Sequence, residues 1–214
     1  AAAGLAESDG ACAEEVARRP SLRLMPDSLA PGTVLPRLRG RFGRPYTYLV
    51  STASTQLLLE PEAPEGALVV AGEQTAGRGR LGRRWLAPPE TSLLCSLQLT
   101  PAVSAERLPE LTSVAARACA EAIRETTGLE PELKFPNDVL IGGRKVAGIL
   151  AEARESRVVL GIGINVNVAE DDLPTEVDRP ATSLLVETGR ELDRAELLVE
   201  LLARLESAYD GWLG

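Results

Sequence analysis

Hydrophobic and polar positions along this chain change period from block to block, and each period predicts an element. Residues 46–50 form a β-rich run, and residues 67–73 make a second apolar strand. Between them Ser54 and Thr55 stand where hydroxyls cap a short helical turn ended by Pro61. Leu93, Cys95, Leu97 and Leu99 recur at every second position, the pattern of a half-buried strand. Leu111, Val114, Ala115, Ala118, Ala122 and Ile123 recur at helical spacing until Gly128, a residue suited to the left-handed helix end. Residues 132–135, 139–141, 145–153 and 158–168 read as further strands, with Gly142-Gly143 as a two-residue hairpin turn. A closing helix starts at Asp193, with Glu196 placed as in a capping box and Leu198, Leu201, Leu202, Leu205, Tyr209 and Trp212 on one face. Hairpin-rich strands interrupted by helices predict an α+β fold with a mixed sheet flanked by helices.

Ahead of these elements the pattern fails. The first twenty residues are rich in Ala and Glu, and residues 26–45 add Pro26, Pro31, Pro36 and Pro45. Residues 1–45 therefore read as a loosely tied extension and linker, and residues 46–214 as the folded domain.

Composition narrows the chemistry. No uncharged apolar run approaches the length that spans a bilayer, and no basic segment followed by an apolar one opens the chain, so a membrane partner is not expected. The three cysteines, Cys12, Cys95 and Cys119, lack metal-ligand spacing, which fits a reducing cytoplasm and no protein-held metal. A net charge of −8 argues against a general nucleic-acid binder, so any anion site is local. With no histidine, triad catalysis through imidazole is closed. Only two of the 23 cationic residues are lysines, Lys134 and Lys145, both inside one short window. That economy suggests positions where a compact ammonium is required. The three asparagines, Asn137, Asn165 and Asn167, are equally concentrated.

Three stretches carry candidate chemistry. GRGRLGRRW at 77–85 combines glycines, whose backbone N–H groups approach phosphate oxygens closely, with Arg78, Arg80, Arg83 and Arg84, whose guanidinium forks bind them. It is neither a P-loop nor a dinucleotide fingerprint, and a solvated Arg/Gly arm is the plain alternative. KFPND at 134–138, followed by KVAGIL from Lys145, sets both lysines beside Asn137 and Asp138. A strand-borne lysine near an acid suits charge developing on a carboxylate or phosphoryl oxygen, while the plain readings are an Asx turn and a solvated hairpin cation. In GIGINVNV at 161–168 one strand face is apolar and the other holds only Gly161, Gly163, Asn165 and Asn167. That bare face either leaves room for a flat ligand or packs closely under another element. Ser54, Thr55 and Gln56 likewise either cap a helix or bind a ligand.

In this order and spacing, GRGRLGRRW, KFPNDV, KVAGIL and GIGINVN resemble the biotin protein ligases, the biotin–[acetyl-CoA-carboxylase] ligases, from Tyr46 to the chain's end. The resemblance implies a sheet-and-helix catalytic domain related to class II aminoacyl-tRNA synthetases and lipoate ligases. It implies that biotin and ATP, with Mg²⁺, form biotinyl-5′-AMP, and that biotin then passes to one lysine of a biotin carboxyl carrier protein. Carried over by residue, Lys145, Arg80 and Asp138 become the catalytic groups, with Asp138 orienting or deprotonating the acceptor lysine. Ser54, Thr55, Gln74, Gly77, Arg78, Arg80, Trp85, Lys145 and Gly148 become the biotin site. Arg80, Arg83, Lys134, Asn137 and Asn165 become the nucleotide site.

The sequence departs from the family at Ala53, where an aspartate is usual, at Gln56, usually asparagine, and at Phe135, usually tryptophan. The family usually continues into a small β-domain, which is expected to be missing after Gly214. The resemblance leaves a homodimer open. Alternative functions are a remnant of a biotin-responsive DNA-binding repressor, a non-catalytic biotin or nucleotide sensor, and a lipoate ligase. Too few residues precede MPDSLAPG for a complete winged helix, so DNA is not the expected partner.

Overall fold

In a computed structural model, which describes residues 29–175 and 180–214, seven strands form one sheet in the order β1-β2-β3-β7-β6-β5-β4. The strands are β1 Tyr46–Thr52, β2 Leu68–Gln74, β3 Ser92–Leu99, β4 Glu132–Lys134, β5 Asp138–Ile141, β6 Arg144–Arg154 and β7 Arg157–Asn165. Only β1 and β2 run parallel, and every other neighbouring pair is antiparallel, so the sheet is mixed as expected. The helices are α1 Pro31–Val34, α2 Glu110–Thr127, α3 Leu184–Thr188 and α4 Arg194–Leu213.

Alternation along β7 divides the layers. Val158, Leu160, Ile162 and Ile164 join α2 and α4 in the main core. Val159 faces the other way and packs with Leu59, Ala67 and Val69. Gly161 and Gly163 share that second face, which meets loops instead of long helices. The local signals in the sequence act as read: Gly128 takes φ 76 after α2, Gly142 and Gly143 take φ 55 and 76 in the β5–β6 turn, and Asp193 Oδ1 accepts from the Ala195 and Glu196 N–H groups at 2.8 and 3.3 Å. Such a cap is worth ~1 kcal/mol.

Three expectations change. β3 is buried on both faces, not one, because Ser96 and Gln98 lie under the loop that joins β1 to β2 while Leu93, Cys95, Leu97 and Leu99 meet the helices. β7 ends at Asn165, three residues early, as the chain leaves the sheet. The packed body also begins before Tyr46. Leu29, Val34 and Phe42 are fully buried in the main core, and Phe42 lies 5.7 Å from the Tyr209 ring. Arg37 pairs with Asp193, while Arg41 reaches Glu65, Glu206 and Asp210, so residues 29–44 are bound to the domain at both ends of α4. The rest of the expected extension, with Cys12 and any winged-helix remnant, lies outside the described residues.

Candidate active site

The loop after β2 is a small hairpin. Gly79 N donates to Arg83 O at 2.8 Å and Trp85 N to Gly77 O at 3.0 Å, with Leu81 and Gly82 at φ 57 and 75 forming the tip. Gly77 is required because a Cβ there would stand 2.6 Å from the Trp85 carbonyl oxygen. The fold-back returns Trp85 across the sheet onto the glycines of β6 and β7. A Cβ at Gly148 would stand 3.0 Å from Trp85 Cζ3, and one at Gly163 2.7 Å from Cε2. The nearly bare strand face is therefore covered by an indole, with the Gln56 amide over neighbouring Gly161.

What remains is a cavity of about 30 Å³ between Ser54, Thr55, Gln56, Gln74, Arg78 and Trp85. That space holds a water or so, not a ring. Its walls are nevertheless polar. Gln74 Oε1 accepts from Thr55 N at 2.7 Å and Thr55 Oγ1 at 3.1 Å, and Thr55 Oγ1 also meets Ser96 Oγ at 2.7 Å. Ser54 Oγ, Gln56 Oε1 and Trp85 Nε1 are buried without a partner among the described residues. Buried polar atoms normally carry a hydrogen bond, so three orphans around one cavity mark a place shaped for a polar ligand.

The cationic part adjoins this cavity. Lys145 Nζ lies 2.7 Å from Asp138 Oδ1, at ion-pair distance though outside hydrogen-bond alignment, and 5.7 Å from the Trp85 ring centroid. Gly148 lets the ammonium in, since a Cβ there would stand 3.2 Å from Lys145 Nζ. Arg80 Nη1 donates to Asn137 Oδ1 at 3.1 Å, and Asn137 Nδ2 donates to Ile149 O at 3.2 Å, tying the loop to the β4–β5 turn. Arg78 is held by Glu152 at 3.0 Å, a carboxylate occupying the fork that an anionic ligand would take.

Two expected residues lie elsewhere. Lys134 is exposed on β4 and lines a second cavity of about 240 Å³ with Phe135, Pro136 and Asp138, so Asp138 is its link to Lys145. Asn165 is buried and donates from Nδ2 to Thr182 O at 3.0 Å, while Thr182 N donates to Lys145 O at 2.9 Å. Asn165 thus braces the segment that pins the Lys145 backbone. Asn167 spends its amide on the chain: it donates to Leu192 O and accepts from Leu192 N, at 3.0 and 2.9 Å. Arg83 is exposed on the loop. Sequence reasoning did not connect Glu152 with this site, because its partner Arg78 is distant in the chain.

Cys95 also borders the small cavity, and burial pushes its thiol up to about 12, so it is inert as a nucleophile. Among the described residues no group of three Cys, Asp or Glu side chains could hold a metal ion, and no helix is long and apolar enough to cross a membrane.

The family model described as "Biotin/lipoate A/B protein ligase family" matches residues 47–169. The chain is similar to the bifunctional ligase/repressor BirA of Bacillus subtilis (strain 168), 42% identical over 161 residues, which is 73% of this chain and 50% of that protein. It is 40% identical over 171 residues to a biotin–[acetyl-CoA-carboxylase] ligase of Paracoccus denitrificans, covering 75% of this chain and 71% of the relative. A solved structure of the biotin protein ligase from Aquifex aeolicus in complex with biotin and ATP superposes with a TM-score of 0.70 at 40% identity, over 76% of this chain and 69% of that one. The chain spans about half the length of the Bacillus relative.

Proposed function

Because the chain belongs to the biotin/lipoate A/B protein ligase family, we propose that it activates biotin with MgATP as biotinyl-5′-AMP and transfers the biotinyl group to a lysine of a carboxyl carrier protein. The observation that carries this reading is that the Lys145 ammonium stands beside Asp138 and 5.7 Å from the ring of Trp85, which walls the orphaned polar cavity, while Arg80 is held to the neighbouring Asn137. In the first step a carboxylate oxygen attacks the α-phosphorus, an O–P bond forms, and the bond to pyrophosphate breaks. Both reactants are anionic, so Lys145 and Arg80 allow their approach and stabilise the charge that develops. In the second step the neutral carrier lysine amine attacks the acyl carbon, an amide forms, AMP leaves with the bonding pair, and the proton lost from nitrogen passes to the Asp138 carboxylate. An Asp138 carboxylate oxygen accepts an N–H of that amine and orients it. Mg²⁺ would enter with the nucleotide and neutralise part of the charge on its phosphates.

The remaining assignments rest on the family resemblance. Ser54, Thr55, Gln74, Gly77, Trp85 and Gly148 form the biotin side, with Arg78 released from Glu152 on binding. Arg80, Arg83, Asn137 and Lys134 form the nucleotide side, and Asn165 acts on it through Thr182 and Lys145. Two buried, unpaired thiols, Cys95 and Cys119, support a reducing cytoplasmic setting. Mass spectrometry of a carboxyl carrier domain incubated with the chain, biotin and MgATP tests the proposal. The expected result is one biotinyl increment on one lysine, dependent on both small molecules. No increment, together with no biotin-dependent pyrophosphate exchange, would overturn it.

A further inference from the structure

We infer that Gln56 determines specificity for the ring of the acid, by accepting an N–H from it. The inference rests on the proposed activation of biotin and adds to it a residue outside the site that the resemblance implies. Gln56 is 3% exposed and borders the small cavity. Its Nε2 donates to the Leu150 carbonyl at 3.0 Å, which fixes the amide's orientation, because the flipped amide would set two oxygens against each other. Oε1 is thereby left as a buried acceptor without a donor.

The other acceptors of the wall are committed. Gln74 Oε1 already receives two hydrogen bonds from Thr55, and Thr55 Oγ1 is used by Gln74 and Ser96. Besides the indole N–H of the Trp85 cover, the open groups are Ser54 Oγ, which can give or take a proton, and Gln56 Oε1, which can only accept. A cyclic urea supplies N–H donors and a carbonyl acceptor and satisfies both. A dithiolane or a plain alkyl chain supplies no donor, so it would leave Gln56 Oε1 buried and unpaired. A site built to hydrogen-bond an N–H discriminates strongly against analogues that lack it, whereas apolar shape alone discriminates weakly. Gly161 belongs to the same device, since a Cβ there would stand 2.7 Å from Gln56 Nε2 and push the amide aside.

Pyrophosphate exchange with biotin, the two N-methyl isomers of its urea, and lipoate tests this in the wild type and in Gln56→Met, which keeps length and removes the amide. In the wild type one N-methyl isomer should lose at least about tenfold in kcat/KM relative to biotin. In Gln56→Met that loss should largely vanish, and the biotin-to-lipoate ratio should fall about tenfold or more. Equal losses on N-methylation in both proteins, with an unchanged biotin-to-lipoate ratio, would overturn the inference while leaving biotin activation intact. If Gln56→Met does not fold, the wild-type arm still decides, since two isomers within tenfold of biotin would overturn it. A wild type that activates no biotin would overturn the underlying reading and this one together.

Discussion

Trp85 lies on Gly163 so closely that a Cβ at the glycine would stand 2.7 Å from the indole Cε2. The ring fills the glycine face, and the cavity beside it is too small for a bicyclic ligand, so the 77–85 hairpin must lift before one enters. Gly163→Ala should lift it without ligand. Trypsin should then cut at Arg78, Arg80, Arg83 and Arg84 several-fold faster than in the wild type. Biotin plus ATP should slow cutting in the wild type, where arginines gain phosphate partners and the loop becomes ordered. Equal cleavage rates in all samples would contradict a mobile indole cover.

Lys145→Ala should slow adenylate formation by ~10²–10³, as loss of one preorganised electrostatic donor does, and weaken biotin binding far less. The ammonium lies beside Asp138 and 5.7 Å from the centroid of the Trp85 ring, which walls the polar cavity. Pyrophosphate exchange near the wild-type rate would exclude that role.

Arg80→Gly should leave adenylate formation largely intact and release the intermediate early. Arg80 reaches the site from the loop, through Asn137 on the β4–β5 turn, whereas Lys145 stands on β6. A charge-assisted hydrogen bond is worth ~1.5–3 kcal/mol, enough to shorten residence about tenfold or more. Biotin on a lysine-rich bystander protein should rise accordingly, because released adenylate acylates exposed amines. Normal adenylate formation with no rise would rule out a clamp at Arg80.

Arg41 links residues 29–44 to α4 and contributes stability that is present at neutral pH and lost in acid. Its hydrogen bond holds the Asp210 carboxyl below the usual range, and Glu65 is also lowered, where hydrogen bonds from Thr100 and Tyr209 outweigh burial. Carboxyls lowered by folding contribute stability that is fully present above their unfolded values near ~4 and is lost as pH falls through the folded ones. Arg41→Ala should lower Tm at pH 7 by about 2–4 °C, in line with ~1 kcal/mol for a partly exposed cluster. The difference between variant and wild type should shrink below about pH 4. A constant difference from pH 7 to pH 3 in thermal melts would count against this coupling.

Much of the fold was legible because its signals are local. Gly128 ends α2, Gly142-Gly143 turns β5 into β6, and Asp193 caps α4 through residues two and three positions away. The order of the glycine-arginine loop, KFPND, Lys145 and the glycine strand likewise announced one site, and the sheet brings Arg80, Asn137, Asp138 and Lys145 together.

Only tertiary structure decided what those residues touch. Nothing near Gly163 in the sequence says that Trp85 will cover it, and nothing near Asn165 or Asn167 says that their amides will be used by Thr182 and Leu192. Arg41 reads as part of a proline-rich linker until Asp210, 169 residues away, is packed beside it. Local conformational preference is written in a few neighbouring residues. The partners of a buried polar group are set by which distant segments the packed core brings within hydrogen-bond reach, and that depends on the whole chain.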